Sequence, residues 1–215
     1  MSEADQRTAA GANIWAPAAI LADLDGTLVD SVASGRQAWG ALARRRGLDE
    51  EETILLAMGR PTRETIALLV PEGERTAEQE KLDRDEVDDA GSVTAYEGAA
   101  ELLAGPIPIA VVTSGSTELA TARLRGAGLE PPAVMITADS ITRGKPDPEP
   151  FLLGARELGV EPARCLVLED APSGIESANA AAIPVVAFRT SHSESELEGA
   201  TEVLDTLAEA VARLR

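Results

Sequence analysis

Short apolar runs alternate with helical patterns along most of this chain of 215 residues. Five runs rich in Val and Ile and bounded by Gly, Pro or Asp predict buried strands at residues 18–24, 107–113, 133–137, 165–168 and 184–188. Helical patterns at 116–127, 149–158 and 172–181 separate the later runs, and another at 206–214 follows the last. Strands that alternate with helices in this way predict an α/β fold with a parallel sheet covered on both faces.

Residues 30–96 interrupt this alternation with helical patterns and no convincing strand. The patterns cover 33–46, 49–58, 63–69 and 74–89, directly after the first strand. An insertion at that point would lie over the carboxyl ends of the strands, where open α/β sheets bind their ligands. We therefore predict a helical cap at 30–96, a core of residues 15–29 and 97–215, and a flexible tail at 1–14.

Charge and composition limit the classes of partner. The net charge of −18 argues against nucleic acid, and it requires a local cation for any anionic substrate. No apolar run approaches the roughly 20 residues of a membrane span, and the N-terminus lacks the features of a signal peptide. Cys165 is the single cysteine, which favours a reducing, cytoplasmic setting. We expect a monomer or at most a weak dimer that acts on a small metabolite.

Carboxylates are the first candidates for catalysis, because the single histidine, His192, lies in a Ser-rich segment typical of a surface loop. The first strand ends in Asp23-Leu24-Asp25-Gly26. Two aspartates spaced by one residue project to the same side of an extended chain, and a glycine lets the backbone turn away. A divalent cation would neutralise such a pair and attract a phosphate dianion. The alternative is an Asp-rich junction between strand and turn.

Two further segments offer groups that could bind a phosphate. The second strand ends at Thr113-Ser114-Gly115, before a helix whose N-terminus would offer backbone N–H groups, although these residues are also typical of helix caps. Lys145 is one of two lysines in the chain and lies between Gly144 and Pro146. Its ammonium group could pair with phosphoryl oxygens and with a carboxylate. A solvated loop lysine is the alternative.

The fourth strand ends in Glu169-Asp170, again acidic residues at the carboxyl end of an apolar run. Hard oxygen ligands that converge on one cleft suit Mg²⁺. Capping of the next helix by Asp170 is the structural alternative.

Taken in order, these four segments resemble the motifs of the haloacid-dehalogenase superfamily. The motifs are Asp-x-Asp-Gly-Thr-Leu, a strand-terminal Ser, Gly-Lys-Pro-x-Pro and Glu-Asp. Their order is more specific than any one motif, and with the flanking elements the resemblance covers nearly the whole chain. A helical insertion between the first two motifs is similar to the C1-capped subgroup. The resemblance implies a Rossmann-like core under that cap.

The same resemblance implies a role for each motif. Asp23 would attack phosphorus and become transiently phosphorylated, while Asp25 would protonate the leaving alcohol and then activate water. The phosphoryl oxygens would be held by Gly26, Ser114, Gly115 and Lys145. The ligands of Mg²⁺ would be Asp23, Asp170 and the backbone carbonyl of Asp25, with help from Glu169.

Other chemistries of the superfamily fit less well. Dehalogenases need neither Mg²⁺ nor the second aspartate. β-Phosphoglucomutases carry a His early in the first cap helix, where this chain has Gly35, and Lys-Asn after the second motif, where it has Thr117-Glu118. A phosphoglycolate-type phosphatase is a further alternative. A non-enzymatic binding module is disfavoured by the intact charged set from Asp23 to Asp170.

The segments around the motifs are most similar to the sugar- and polyol-phosphate phosphatases, a branch that includes 2-deoxyglucose-6-phosphate and glycerol phosphatases. We predict a Mg²⁺-dependent phosphatase of small phosphomonoesters. Arg60 and Arg63, in a predicted loop of the cap, are candidates for substrate specificity, with a plain surface role as the alternative. Trp39 and Leu42 are predicted to pack the cap interior.

Three residues depart from the family pattern outside the motifs. Ala22 replaces a frequent Phe, Glu97 a common Pro before the hinge glycine, and Ala182 a usual Gly after a helix. A left-handed conformation at Ala182 would cost about 1 kcal/mol.

Overall fold

The computed structural model of the protein describes residues 13–57 and 62–215. In chain order its helices and strands are β1 (Ala19–Ala22), β2 (Val29–Asp30), α1 (Val32–Arg46), α2 (Glu50–Ala57), α3 (Thr62–Leu69), α4 (Arg75–Asp88), β3 (Thr94–Ala95), α5 (Ala99–Leu103), β4 (Ile109–Val112), α6 (Thr117–Gly126), β5 (Val134–Ile136), α7 (Glu149–Glu157), β6 (Cys165–Glu169), α8 (Pro172–Ala180), β7 (Val185–Phe188), β8 (Glu202–Leu204) and α9 (Leu207–Leu214).

A parallel six-stranded sheet forms the centre of the core, in the order β5-β4-β1-β6-β7-β8. All four residues of β1 are buried, because helices cover both faces of the sheet. Ile20 and Ala22 pack with the apolar residues of α5, α6 and α9. Ala19 and Leu21 pack on the opposite face with those of α7 and α8. The predicted α/β class and the five predicted strands are confirmed.

The described part of the insertion is helical, and α1 to α4 enclose an apolar cluster of their own. Its buried members include Trp39, Leu42, Ile54, Ile66 and Leu82. The prediction that Trp39 and Leu42 pack the cap interior is confirmed. The fold is therefore a Rossmann-like core with a helical cap.

Two short strands join the cap to the core, a detail that the sequence did not indicate. Strand β2 pairs antiparallel with β3, so that Val29 lies opposite Ala95 and Asp30 opposite Thr94. Two residues per strand are too few to show a period of two in the sequence. The ribbon lies beside the predicted hinges, and the domain boundaries themselves stay a prediction.

Two other details differ from expectation. Strand β8 was not predicted, because it is only three residues long and includes the partly exposed Glu202 and Val203. Residues 1–12 of the predicted tail lie outside the described residues. Ile14, assigned to that tail, is buried with Trp15 among the apolar residues of the core. No helix in the described parts of the chain combines the length and apolar content that a bilayer crossing requires.

Candidate active site

The predicted acidic and basic residues meet at the carboxyl ends of three neighbouring strands. Asp23 directly follows β1, Thr113 follows β4, and Glu169 ends β6, and these strands are adjacent in the order β4-β1-β6. Parallel strands end at one edge of a sheet, so residues more than 100 positions apart come together there. The backbone N–H of Asp23 donates to the carbonyl of Leu168 at 2.9 Å, which fixes the first of these ends against the third.

Lys145 lies in the middle of this edge. Its Nζ donates to Oδ1 of Asp23 at 2.6 Å, to Oε1 of Glu169 at 2.7 Å and to the carbonyl of Val112 at 2.9 Å. The ammonium also lies 5.1 Å from the centre of the Phe151 ring, within the range of a cation–π contact. Burial opposes its charge, but the two carboxylates raise the pKa of Lys145 above its usual value. These contacts exclude the alternative of a solvated loop lysine.

Asp23, Glu169 and Asp170 form a buried acidic cluster, with one carboxylate oxygen of each within 4.8 Å of the others. Burial raises the pKa of Asp23, with Lys145 opposing and the neighbouring carboxylates adding to the rise. Burial and the charge of Glu169 raise the pKa of Asp170 to about 8. Crowded, desolvated carboxylates hold protons because they lack enough positive charge.

A divalent cation would supply that charge, and the donor set suits one. All three side chains offer hard oxygen ligands of the kind that Mg²⁺ prefers. The backbone also makes room, because Gly26 has φ +83° and a Cβ there would lie 1.9 Å from Oδ2 of Asp170. Only glycine lets the turn after β1 approach the acidic cluster so closely. The residues present therefore fit a metal site.

Glu169 is held more tightly than the other two acids. Its Oε2 accepts from the backbone N–H groups of Asp170 and Ala171, each at 2.9 Å, and its Oε1 accepts from Lys145. A Cβ at Gly174 would lie 1.7 Å from Oε1, so this glycine is required by the close approach of α8. Both carboxylate oxygens of Glu169 therefore accept hydrogen bonds from the protein. The contact with Lys145 gives Glu169 its clearest role, which is to orient the ammonium group.

Asp170 does not cap the following helix. The N-cap residue of α8 is Ala171, and it makes no capping bond through its side chain. Oδ2 of Asp170 instead accepts a hydrogen bond from the hydroxyl of Ser191. The capping alternative is therefore excluded.

The loop after β7 contributes contacts that the sequence analysis missed. Thr190 donates to the carbonyl of Gly26, and Ser191 binds Asp170. His192, expected in a surface loop, is half-buried, and its Nδ1 lies 3.0 Å from the carbonyl of Asp170. The position of this loop at the carboxyl end of another parallel strand was the available signal.

The side chain of Asp25 is bound by an arginine rather than by Lys145. Its Oδ2 accepts from Nη1 of Arg123 at 2.7 Å, and Nη2 of Arg123 donates to Glu86 of the cap at 2.9 Å. Neither partner was singled out in the sequence. Arg123 could have been noticed, because it shares the buried face of α6 with Leu119, Ala120 and Leu124, where an apolar residue is expected.

The remaining predicted site residues that the structure describes are Ser114 and Gly115 near the end of β4 and Arg63 in the cap. Ser114 is exposed after β4, and the N–H of Gly115 donates to the hydroxyl of Thr113 at 3.1 Å. Ser116 caps α6 by accepting from Leu119, so the capping chemistry expected of this segment is present. Arg63 is exposed on α3, and Arg60 lies outside the described residues.

Comparisons with known proteins agree with this geometry. The family of haloacid dehalogenase-like hydrolases matches residues 17–182. Hexitol phosphatase A of Escherichia coli (strain K12) is 40% identical over 194 residues, covering 87% of this chain and 90% of that protein. Validoxylamine A 7'-phosphate phosphatase of Streptomyces hygroscopicus subsp. limoneus is 38% identical over 199 residues, covering 88% and 93%.

Among solved structures, CbbY from Rhodobacter sphaeroides in complex with phosphate superimposes with a TM-score of 0.77. It is 27% identical, and the match covers 92% of this chain and 99% of that one. The chain belongs to the haloacid dehalogenase-like hydrolase family and is an enzyme of that family, a phosphoric monoester hydrolase.

Proposed function

We propose that this enzyme is a Mg²⁺-dependent phosphatase that hydrolyses small sugar or polyol phosphates through phosphorylation of Asp23. The observation that carries the proposal is the ammonium of Lys145, 2.6 Å from Oδ1 of Asp23 and surrounded by buried carboxylates. A nucleophilic carboxylate repels a phosphate dianion unless positive charge lies between them, and Lys145 supplies part of that charge.

The reaction would occur in two displacements. An oxygen of Asp23 forms a bond to phosphorus as the ester bond to the alcohol breaks, and Asp25 gives its proton to the leaving oxygen. Water then attacks the phosphoaspartate, Asp25 takes a proton from that water, and the carboxylate of Asp23 leaves. Phosphoryl transfer of this kind depends mostly on positioning and charge stabilisation.

The other site residues would bind rather than react. A bound Mg²⁺ would neutralise charge on Asp23 and on the phosphoryl oxygens. It would be held by Asp23, Asp170 and the backbone carbonyl of Asp25, with help from Glu169, which also orients Lys145. Ser114 and Lys145 would hold the phosphoryl group with Gly26 and Gly115. Because the N–H of Gly115 donates to Thr113 in the structure, it would have to exchange that partner for a phosphoryl oxygen.

Two observations favour a small polyhydroxylated substrate. The two curated relatives above act on a hexitol phosphate and on validoxylamine A 7'-phosphate, as their names state. The helical cap lies on the side where α/β sheets bind ligands, which favours small molecules over phosphoproteins. Arg63, and Arg60 in the same segment, are the candidates for contacts with hydroxyl groups.

Phosphate release across a panel of hexitol, hexose, glycerol and glycolate phosphates, with Mg²⁺ and with a chelator, tests the proposal. We expect turnover of the sugar or polyol phosphates that the chelator stops, and an acid-stable phosphoryl label on the wild-type chain. Asp23→Asn should abolish turnover and label, whereas Asp88→Asn, on an exposed position of α4, should keep both. Full turnover by Asp23→Asn would contradict the proposal. Conversion of β-glucose 1-phosphate to glucose 6-phosphate without net phosphate release would favour the mutase instead.

A further inference from the structure

Arg123 links the two domains through the aspartate that carries the proton. Its guanidinium bridges Oδ2 of Asp25, after the first core strand, and Oε1 of Glu86, on cap helix α4. Only 7% of the Arg123 side chain and 13% of that of Glu86 are exposed. The bridge joins segments that are 98 and 37 residues from Arg123 in the chain.

Fold stability alone does not account for this residue. Removing charges from water is expensive, and buried ion pairs are often no more stable than apolar residues of similar volume. Burial opposes the charge of Arg123, whereas the carboxylates of Asp25 and Glu86 raise the pKa of its guanidinium. An apolar side chain would also continue the buried face that Leu119 and Leu124 form on α6. The position instead holds Arg123, a permanently charged hydrogen-bond donor.

The unpaired oxygen of Asp25 indicates what Arg123 does. Oδ2 of Asp25 is occupied by Arg123, whereas Oδ1 is buried and has no hydrogen-bond partner within residues 13–57 and 62–215. A guanidinium donates hydrogen bonds and accepts none, so a proton carried by Asp25 has its place on Oδ1. Holding one oxygen fixes the plane of the carboxyl group and leaves the other oxygen for proton transfer.

We propose that Arg123 is the positioning residue for Asp25 and that Glu86 makes this positioning depend on the placement of the cap. The inference rests on the proposed function, since it assumes that Asp25 is the acid. When the cap helix α4 lies against α6, as in this structure, Arg123 has both anchors and Asp25 is held. Displacement of the cap removes Glu86 from Arg123 and loosens the acid.

The leaving group provides a readout that a purely structural role would not move. An alkoxide leaving group needs a proton from Asp25, whereas p-nitrophenolate leaves without one. The ratio kcat/KM includes only the steps up to release of the alcohol, so the water step shared by both substrates does not enter it. Arg123→Gln should lower kcat/KM for the best hexitol or hexose phosphate about 10- to 100-fold and that for p-nitrophenyl phosphate by less than about threefold.

Asp25→Asn should show the same selectivity, and the double variant with Arg123→Gln should lose little beyond Asp25→Asn alone, because both changes remove one function. Arg123→Lys should recover part of the alkyl phosphate activity. Glu86→Gln should shift the ratio in the same direction by a smaller factor. Arg125→Gln, an exposed arginine on the same helix, is the matched control and should leave the ratio unchanged. Thermal melting would show whether each variant folds, and Arg123→Lys takes the place of Arg123→Gln if the latter does not.

Equal losses on both substrates, or multiplied losses in the double variant, would overturn the role of Arg123. An unchanged ratio in Glu86→Gln would overturn the link to the cap. Neither result resembles failure of the proposed function, in which the wild type releases no phosphate or Asp23→Asn stays active on both substrates.

Discussion

The Nζ atom of Lys145 lies 2.6 Å from Oδ1 of Asp23, although 122 residues separate the two in the chain. The same ammonium binds Glu169, and the side chain of Lys145 is 5% exposed. Desolvation alone would drive a lysine towards its neutral form. Two carboxylates instead raise its pKa, so the group stays charged next to the proposed nucleophile.

Lys145→Met, which keeps the length and removes the charge, should therefore abolish measurable phosphatase activity. It should also lower the free energy of unfolding by about 3–5 kcal/mol, because two buried carboxylates lose their partner. Steady-state kinetics and urea denaturation would measure both effects. Lys81→Met removes the other lysine, exposed on α4, and should change neither quantity. More than a tenth of wild-type kcat in Lys145→Met would contradict the role given to Lys145.

Magnesium should stabilise the protein more at pH 8 than at pH 6. The pKa of Asp170 is raised from 3.8 to about 8, chiefly by burial. A carboxyl group whose pKa is raised in the folded protein stabilises the fold as long as it stays protonated. This contribution is complete below the pKa of the unfolded chain, near pH 4, and is lost as the pH rises through about 8. Without a cation, the acidic cluster therefore lowers the stability of the fold as the pH rises from about 4 to about 8. A bound cation would displace the protons and offset the repulsion between the carboxylates, so its stabilising effect grows with pH.

Thermal melting with and without Mg²⁺ at the two pH values checks this prediction. Asp170→Asn removes the titrating group and should reduce the Mg²⁺-dependent rise in Tm at both pH values. A rise in Tm of the wild type that is the same at pH 6 and pH 8 would count against it.

Ala182→Gly should stabilise the protein by about 1 kcal/mol, because glycine adopts a left-handed conformation without the steric cost of a Cβ. Ala182 has φ +56°, and the N–H groups of Ala182 and Ile183 close the end of α8 by donating to Asn179 and Ala178. The matched control is Ala180→Gly, at the exposed last residue of the same helix, whose φ is not left-handed. Glycine there should destabilise the protein, by less than the roughly 0.5–1 kcal/mol of a helix interior. Urea denaturation should show a higher free energy of unfolding for Ala182→Gly and a lower one for Ala180→Gly. Changes of the same sign in both variants would contradict the prediction.

Gly126→Ala should separate α6 from the end of the cap. A Cβ at Gly126 would lie 2.0 Å from the carbonyl oxygen of Ala90, so the backbone must shift, at a cost of about 1–3 kcal/mol. Gly35→Ala, in α1, has no atom within 4 Å of the new Cβ and should stabilise by about 0.5–1 kcal/mol. Calorimetric melting of both variants checks the prediction, which would fail if Gly126→Ala melted at or above the wild-type temperature.

The amino-acid sequence determined the class of fold and most of the core. The apolar runs from residue 18 to 188 predicted five strands, and the structure has each of them, because a strand buried on both faces needs a continuous apolar run. Ala182 was predicted to replace a glycine after a helix, and its φ of +56° has the expected sign. The acidic and basic residues at the strand ends were also found, since parallel strands bring such ends to one edge.

Only the tertiary structure decided which of these residues touch. The contacts of Lys145 with Asp23 and Glu169, of Ser191 with Asp170, and of Arg123 with Asp25 and Glu86 all join segments that are distant in sequence. A local pattern can mark one of these residues, as it does for Arg123, but not its partner. Hydrogen bonds form only within a narrow range of distances, and the packing of distant segments sets those distances. Strand β8 was not predicted because its three residues are too few to show a periodic pattern. It is recognised as a strand only by its pairing with β7.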